Sequence, residues 1–151
     1  MKKQIPIYRY PYDREMWDEV LSLLMPERPV WGFSNDDMHI IRHLGHCYNV
    51  FLLPELSEDL FRSAMETGQF YFSHGEEAPV IDSVSVNNDA GFVNIDAEGW
   101  DEVVWISEGT VIHHGDTLEF KNTPNIGTYV RAKLMGEGGN TYTNPFGVRT
   151  Q

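Results

Sequence analysis

The sequence predicts an α+β chain, with an incomplete α/β piece over residues 1–75 and an antiparallel β-sandwich over residues 76–151. Three observations predict it. Helix-spaced apolar residues are confined to the first part. The second part holds only short runs rich in β-branched and aromatic residues, separated by turn residues. The polar, proline-bearing stretch Glu76-Glu77-Ala78-Pro79 divides the two patterns.

Taken in order, residues 4–12 read as extended, because Pro6 and Pro11 bar a helix. Asp13 is a suitable N-cap for a helix over 14–24, where Met16, Trp17, Val20, Leu21 and Leu24 form one apolar face. Pro26 ends it. Val30 to Phe33 reads as a short buried strand. Residues 35–47 are polar and irregular, and they carry His39, His43 and His46, three of the six histidines. Asn49 to Leu53 reads as a second buried strand, stopped by Pro54. Ser57 is the N-cap of a second helix, with Glu58 and Asp59 in the first turn, where the helix dipole favours carboxylates. Leu56 and Phe61 have the spacing of a hydrophobic staple, and Gly68 closes the helix. Gln69 to Ser73 reads as a third strand.

Beyond the junction, strands are expected at Val80–Val86, Phe92–Ile95, Val103–Ile106, Val111–His113, Leu118–Phe120, Thr128–Leu134 and Thr141–Val148. Glu108-Gly109, Gly115-Asp116, Thr123-Pro124-Asn125 and Gly136-Glu137-Gly138-Gly139-Asn140 separate the later ones as turns. This number and spacing of short strands suit an immunoglobulin-like sandwich. Alternation places Val103 and Trp105 on one strand face, which reads as core. Trp100 follows Gly99 in a turn and is the better candidate for an exposed ring that binds a ligand.

The 151 residues, 41% of them hydrophobic, suffice for one domain or two small ones. Eleven basic residues against 23 acidic ones give a net charge of −12, which repels phosphate backbones and argues against a nucleic-acid partner. No apolar run is long enough to span a membrane. No secretory h-region follows Met1-Lys2-Lys3, and the single cysteine, Cys47, leaves no intrachain disulfide. Both features point to the cytoplasm.

The chemistry-bearing feature is the pair Asp37 and His39, just past the expected strand Val30–Phe33. A carboxylate and an imidazole two residues apart can face one metal ion, and mixed oxygen and nitrogen ligation suits zinc, manganese or iron. The competing reading is a turn with a solvated histidine. A rival cluster combines His39, His43, His46 and Cys47 at helical spacing, but Gly45 argues against a regular helix there. His74, His113 and His114 receive no role. Gly136-Glu137-Gly138-Gly139 precedes a strand and reads as a hairpin turn, not a phosphate cradle, and no motif marks Cys47 as a nucleophile.

The stretch Trp31-Gly32-Phe33-Ser34-Asn35-Asp36-Asp37-Met38-His39 resembles the last metal-ligand motif of the PHP (polymerase and histidinol phosphatase) family, most closely its carbaryl-hydrolase-like branch. The helix over 13–24, the run from Leu60 to Gly75 and the tail segments Tyr129-Val130-Arg131-Ala132 and Thr143-Asn144-Pro145-Phe146 are similar to successive parts of that branch. The likeness covers about residues 8–149 and rests on order and spacing. It implies a metal-dependent phosphoesterase or related hydrolase, built on a distorted β/α barrel whose metals activate water. By resemblance Asp37 and His39 are the final ligand pair and Asp36 is a supporting or alternative ligand, while His43 and His46 are alternatives only through the rival cluster. The family's opening His-x-His motif and its middle ligands have no counterpart in these residues. The expectation is therefore the C-terminal portion of such an enzyme, inactive alone, with a phosphoester or related small-molecule substrate in the parent. Uncovered apolar faces would favour a homo-oligomer. The alternative is a sandwich module that binds carbohydrate or a partner protein, with Trp100 as its ligand-binding residue.

Overall fold

The computed structural model describes residues 13–149. The expected extended stretch 4–12 lies outside them. Helix α1 runs Asp13–Leu24, followed by strand β1 (Cys47–Phe51), helix α2 (Glu58–Thr67) and strand β2 (Phe70–Glu77). Then come β3 (Val80–Asn87), β4 (Phe92–Glu98), β5 (Glu102–Ser107), β6 (Thr110–His114), β7 (Thr117–Leu118), β8 (Tyr129–Gly136), β9 (Gly138–Thr143) and β10 (Phe146–Gly147).

The strands form a two-sheet antiparallel sandwich. A seven-stranded sheet has the order β1-β2-β9-β8-β5-β6, with β10 also on β8, and a three-stranded sheet has the order β3-β4-β7. Between them lies the main core. Val130, Ala132 and Leu134 of β8 and Val103 and Trp105 of β5 meet Ile81, Val93, Ile95 and Leu118 from the smaller sheet. Trp105 is fully buried, and its indole N–H donates to Gly115 O at 2.9 Å. The alternate residues point the other way. Tyr129 packs with Leu21 and Met25, and Arg131 pairs with Asp18 of α1. The period of two thus gives the larger sheet two working faces, one for the core and one for α1.

The docking of α1 is polar at its centre. Asp18 is buried and accepts from Arg131 Nε at 2.7 Å, from Arg131 Nη2, and from the Tyr129 hydroxyl at 2.7 Å. Burial, and then the Asp18 carboxylate beside it, push the Tyr129 phenol well above its ordinary pKa. Around this centre, Trp17 meets Phe72 edge-on at 5.6 Å, and Phe72 stacks on Tyr142 at 5.3 Å.

Three expectations need correction. Val30–Phe33 forms no strand. Its chain lies across the outer face of the larger sheet, and side chains take its hydrogen bonds: Gly32 N donates to Asn144 Oδ1 at 2.8 Å and Ser34 N to Asn49 Oδ1 at 3.0 Å. A Cβ on Gly32 would sit 2.7 Å from the Phe72 ring, so only glycine lets the chain lie this close. Leu56 and Phe61 make no staple. Leu56 is 92% exposed, and Phe61 packs instead on Phe51 at 4.5 Å. The last expected strand, Thr141–Val148, is two strands broken at Asn144-Pro145.

The expected boundary between residues 75 and 76 falls inside β2, which pairs with β1 on one side and β9 on the other. Strands from both sides of that boundary share one sheet. At the crossing, Gly75 has φ 119°, and a Cβ there would meet Gly138 O at 2.2 Å. Every strand pair in the described residues is antiparallel. No helix among them is long and apolar enough to cross a membrane.

Candidate functional site

The expected ligand pair lies on the loop between α1 and β1. Asp36 fixes that loop. Its two carboxylate oxygens each accept a backbone N–H, Oδ2 from Gly45 at 2.6 Å and Oδ1 from Cys47 at 2.7 Å. These bonds, Gly45 first, hold its pKa below the ordinary carboxylate value. Asp36 is therefore a structural clamp, with both oxygens already engaged.

The clamp presents Asp37 and His39 outward. Asp37 takes a left-handed backbone conformation, φ 47°. The two side chains are 94% and 72% exposed, with His39 Nδ1 4.0 Å from the Asp37 carboxylate. His39 Nδ1 lies 2.7 Å from the Asp37 carbonyl oxygen. A carbonyl only accepts, so Nδ1 carries the proton and Nε2 is the nitrogen left to accept. Metal-binding histidines are commonly set this way by a backbone carbonyl.

The other expected residues gather at the same place. Asp36, Asp37, His39, Arg42, His43, His46, Cys47 and His74 line one shallow depression of about 490 Å³. A short 3-10 turn, Ile41–His43, replaces the regular helix that the rival cluster required. His43 Nδ1 accepts from His39 N at 3.4 Å, and His46 Nε2 donates to Arg42 O at 2.9 Å. His46 Nε2 is also 3.5 Å from Glu76 Oε1. Among the described residues, no three His, Cys, Asp or Glu side chains are placed to hold one metal ion. Asp37 and His39 are two exposed polar side chains that the clamped loop presents to solvent.

One feature of the depression was invisible to motif reading. Cys47 Sγ lies 3.1 Å from His74 Nδ1, residues that sequence spacing does not associate. Only the β1–β2 register, which sets Cys47 opposite His74, brings them together. Trp100 departs from its expected exposure. It is half-buried against the main core, and its indole N–H donates to Ala97 O at 3.0 Å.

A second concavity, about 390 Å³, opens beside β2 and β3, lined by Trp31, Leu52, Phe70, Tyr71, Val84 and Phe146 among others. It holds no cluster of catalytic side chains. No family model, curated protein or solved structure matches this chain.

Proposed function

We propose that this chain is the C-terminal portion of a metal-dependent hydrolase of the PHP class, acting on a phosphoester or related small molecule. In this reading Asp37 and His39 supply the last ligands of a divalent zinc, manganese or iron centre. The remaining ligands come from outside these residues. The sandwich is the immunoglobulin-like domain appended to the catalytic piece.

One observation carries the reading. His39 is held with Nδ1–H on the Asp37 carbonyl, which leaves Nε2 as its metal-binding nitrogen, and the exposed Asp37 carboxylate lies 4.0 Å from Nδ1 on a loop that Asp36 clamps. When bound, the metal would lower the pKa of its water and polarise the scissile bond. The surroundings agree with a face meant to be covered. Of the twelve exposed large apolar side chains among the described residues, eight fall within residues 33–65, Met38, Ile40, Ile41 and Leu44 among them. Exposed apolar side chains on the segments that flank the ligand pair in the chain suit a contact with the rest of a catalytic domain. The same surface also supports the partner-protein form of the binding-module reading; in the carbohydrate form the ligand would meet a half-buried Trp100.

The test is a calorimetric zinc titration of the wild type and of the Asp37→Ala/His39→Ala double variant, with a generic phosphatase assay on both. The expected result is one weak site in the wild type, lost in the variant, and no turnover by either. Equal zinc affinity in the two proteins would overturn the reading.

A further inference from the structure

Cys47 and His74 stand directly opposite each other on β1 and β2, and Asn140 of β9 stands opposite His74 on its other side. The three side chains form a row on the outer face of the larger sheet, because directly opposed residues point the same way. Cys47 is half-buried, His74 is exposed, and both line the depression. A thiol within hydrogen-bond reach of an imidazole is a nucleophile beside its base.

The surroundings narrow the chemistry. Acyl transfer draws on backbone amides held free beside the nucleophile for the oxyanion. Here the Gly45 and Cys47 amides are bound to Asp36, and the Gly75 amide is bound to His46 O. Thiol–disulfide exchange needs only the nucleophile, a proton acceptor and access. The carboxylates of Asp36 and Asp37 border the depression, with Glu76 beside His46, against one permanent cation, Arg42. That balance favours a positively charged ligand.

We propose that Cys47 and His74 form a thiol–imidazole pair that takes up a small cationic disulfide as a mixed disulfide. His74 Nδ1 accepts the thiol proton while Cys47 Sγ attacks the nearer sulfur of R–S–S–R. The S–S bond of the ligand breaks as the new S–S bond to Cys47 forms. The departing thiolate takes the proton from the imidazolium and leaves as R–SH. Cys47 is oxidised, the released half is reduced, and the disulfide is the oxidant. Because Cys47 is the only cysteine in the chain, the adduct is not resolved internally and its reversal needs a second thiol.

The experiment follows adduct formation by intact mass with cystamine, bis(2-hydroxyethyl) disulfide and oxidised glutathione. The folded wild type should react with cystamine faster than the same chain unfolded in urea, despite partial burial of the thiol. His74→Ala should slow the folded reaction by about tenfold or more, the lower range of general-base effects. Cystamine should outpace oxidised glutathione, and Asp37→Asn/Glu76→Gln should narrow that margin. A folded thiol no faster than the unfolded one would overturn the proposal without recourse to any variant. So would a His74→Ala protein that reacts at the wild-type rate, or a preference for oxidised glutathione.

Discussion

Asp36 is the residue on which the loop depends. Its oxygens reach amides nine and eleven positions ahead, at Gly45 and Cys47, and so fix where β1 begins. Asp36→Ala is expected to release both amides, seen as faster hydrogen exchange at Gly45 and Cys47 with the sandwich core unaffected. The acid dependence has a definite sign. The folded pKa is lowered, so the clamp contributes fully above the ordinary value of 3.8 and is lost as pH falls through the lower folded value. Amide protection at the two sites should therefore hold at pH about 5 and collapse on strong acidification. In the sequence Asp36 reads only as a supporting or alternative ligand, because a carboxylate that caps amides at such separations leaves no local pattern. Asp37 and His39 were legible because their partnership is local. The Cys47–His74 contact was not, since it depends on strand register.

At the scale of elements, α1 is joined to the sheet by a buried ion pair. Arg131 also lies over the Trp17 ring, with its Cζ 5.1 Å from the centroid, and its Nη1 is buried without a hydrogen-bond partner. Removing one member strands the other charge in the interior. Arg131→Met should cost about 3–5 kcal/mol in urea unfolding, while Asp18→Leu/Arg131→Met should recover most of it. Trp105→Ala should cost about 3–5 kcal/mol by opening the core between the sheets. The elements that the sequence predicted well are those with complete local signals. Helix α2 has its Ser57 cap, with Leu60 N on Ser57 Oγ at 3.2 Å, and its left-handed Gly68. The strands beyond residue 80 are short β-branched and aromatic runs set apart by turn residues such as Glu108-Gly109 and Gly115-Asp116. Val30–Phe33 misled because an apolar run says that a segment is covered, not that it pairs with a strand. Its cover at Gly32 is Trp17 and Phe72, and its hydrogen bonds go to side chains, Val30 O accepting from the Trp17 indole and Gly32 N donating to Asn144.

At the scale of the whole molecule, eight of the twelve exposed large apolar side chains among the described residues fall within residues 33–65. Ile41 is 87% exposed and Leu44 64%. Such a surface should drive self-association at high concentration, visible as a rising mass in light scattering. Ile41→Lys/Leu44→Lys should shift the chain toward monomer without lowering its unfolding midpoint. The two-sheet sandwich was legible from strand spacing. Its extent was not: β1 and β2 join the larger sheet through β9, a long-range pairing across the polar junction that local composition treats as a boundary. The central claim is that Asp37 and His39 are metal ligands. Its most direct test is residue-resolved paramagnetic broadening of the backbone amide spectrum by substoichiometric Mn²⁺. The account predicts that the earliest and strongest losses centre on residues 36–39 and disappear in Asp37→Ala/His39→Ala. Broadening spread over the acidic surface, or centred away from those residues, would contradict it.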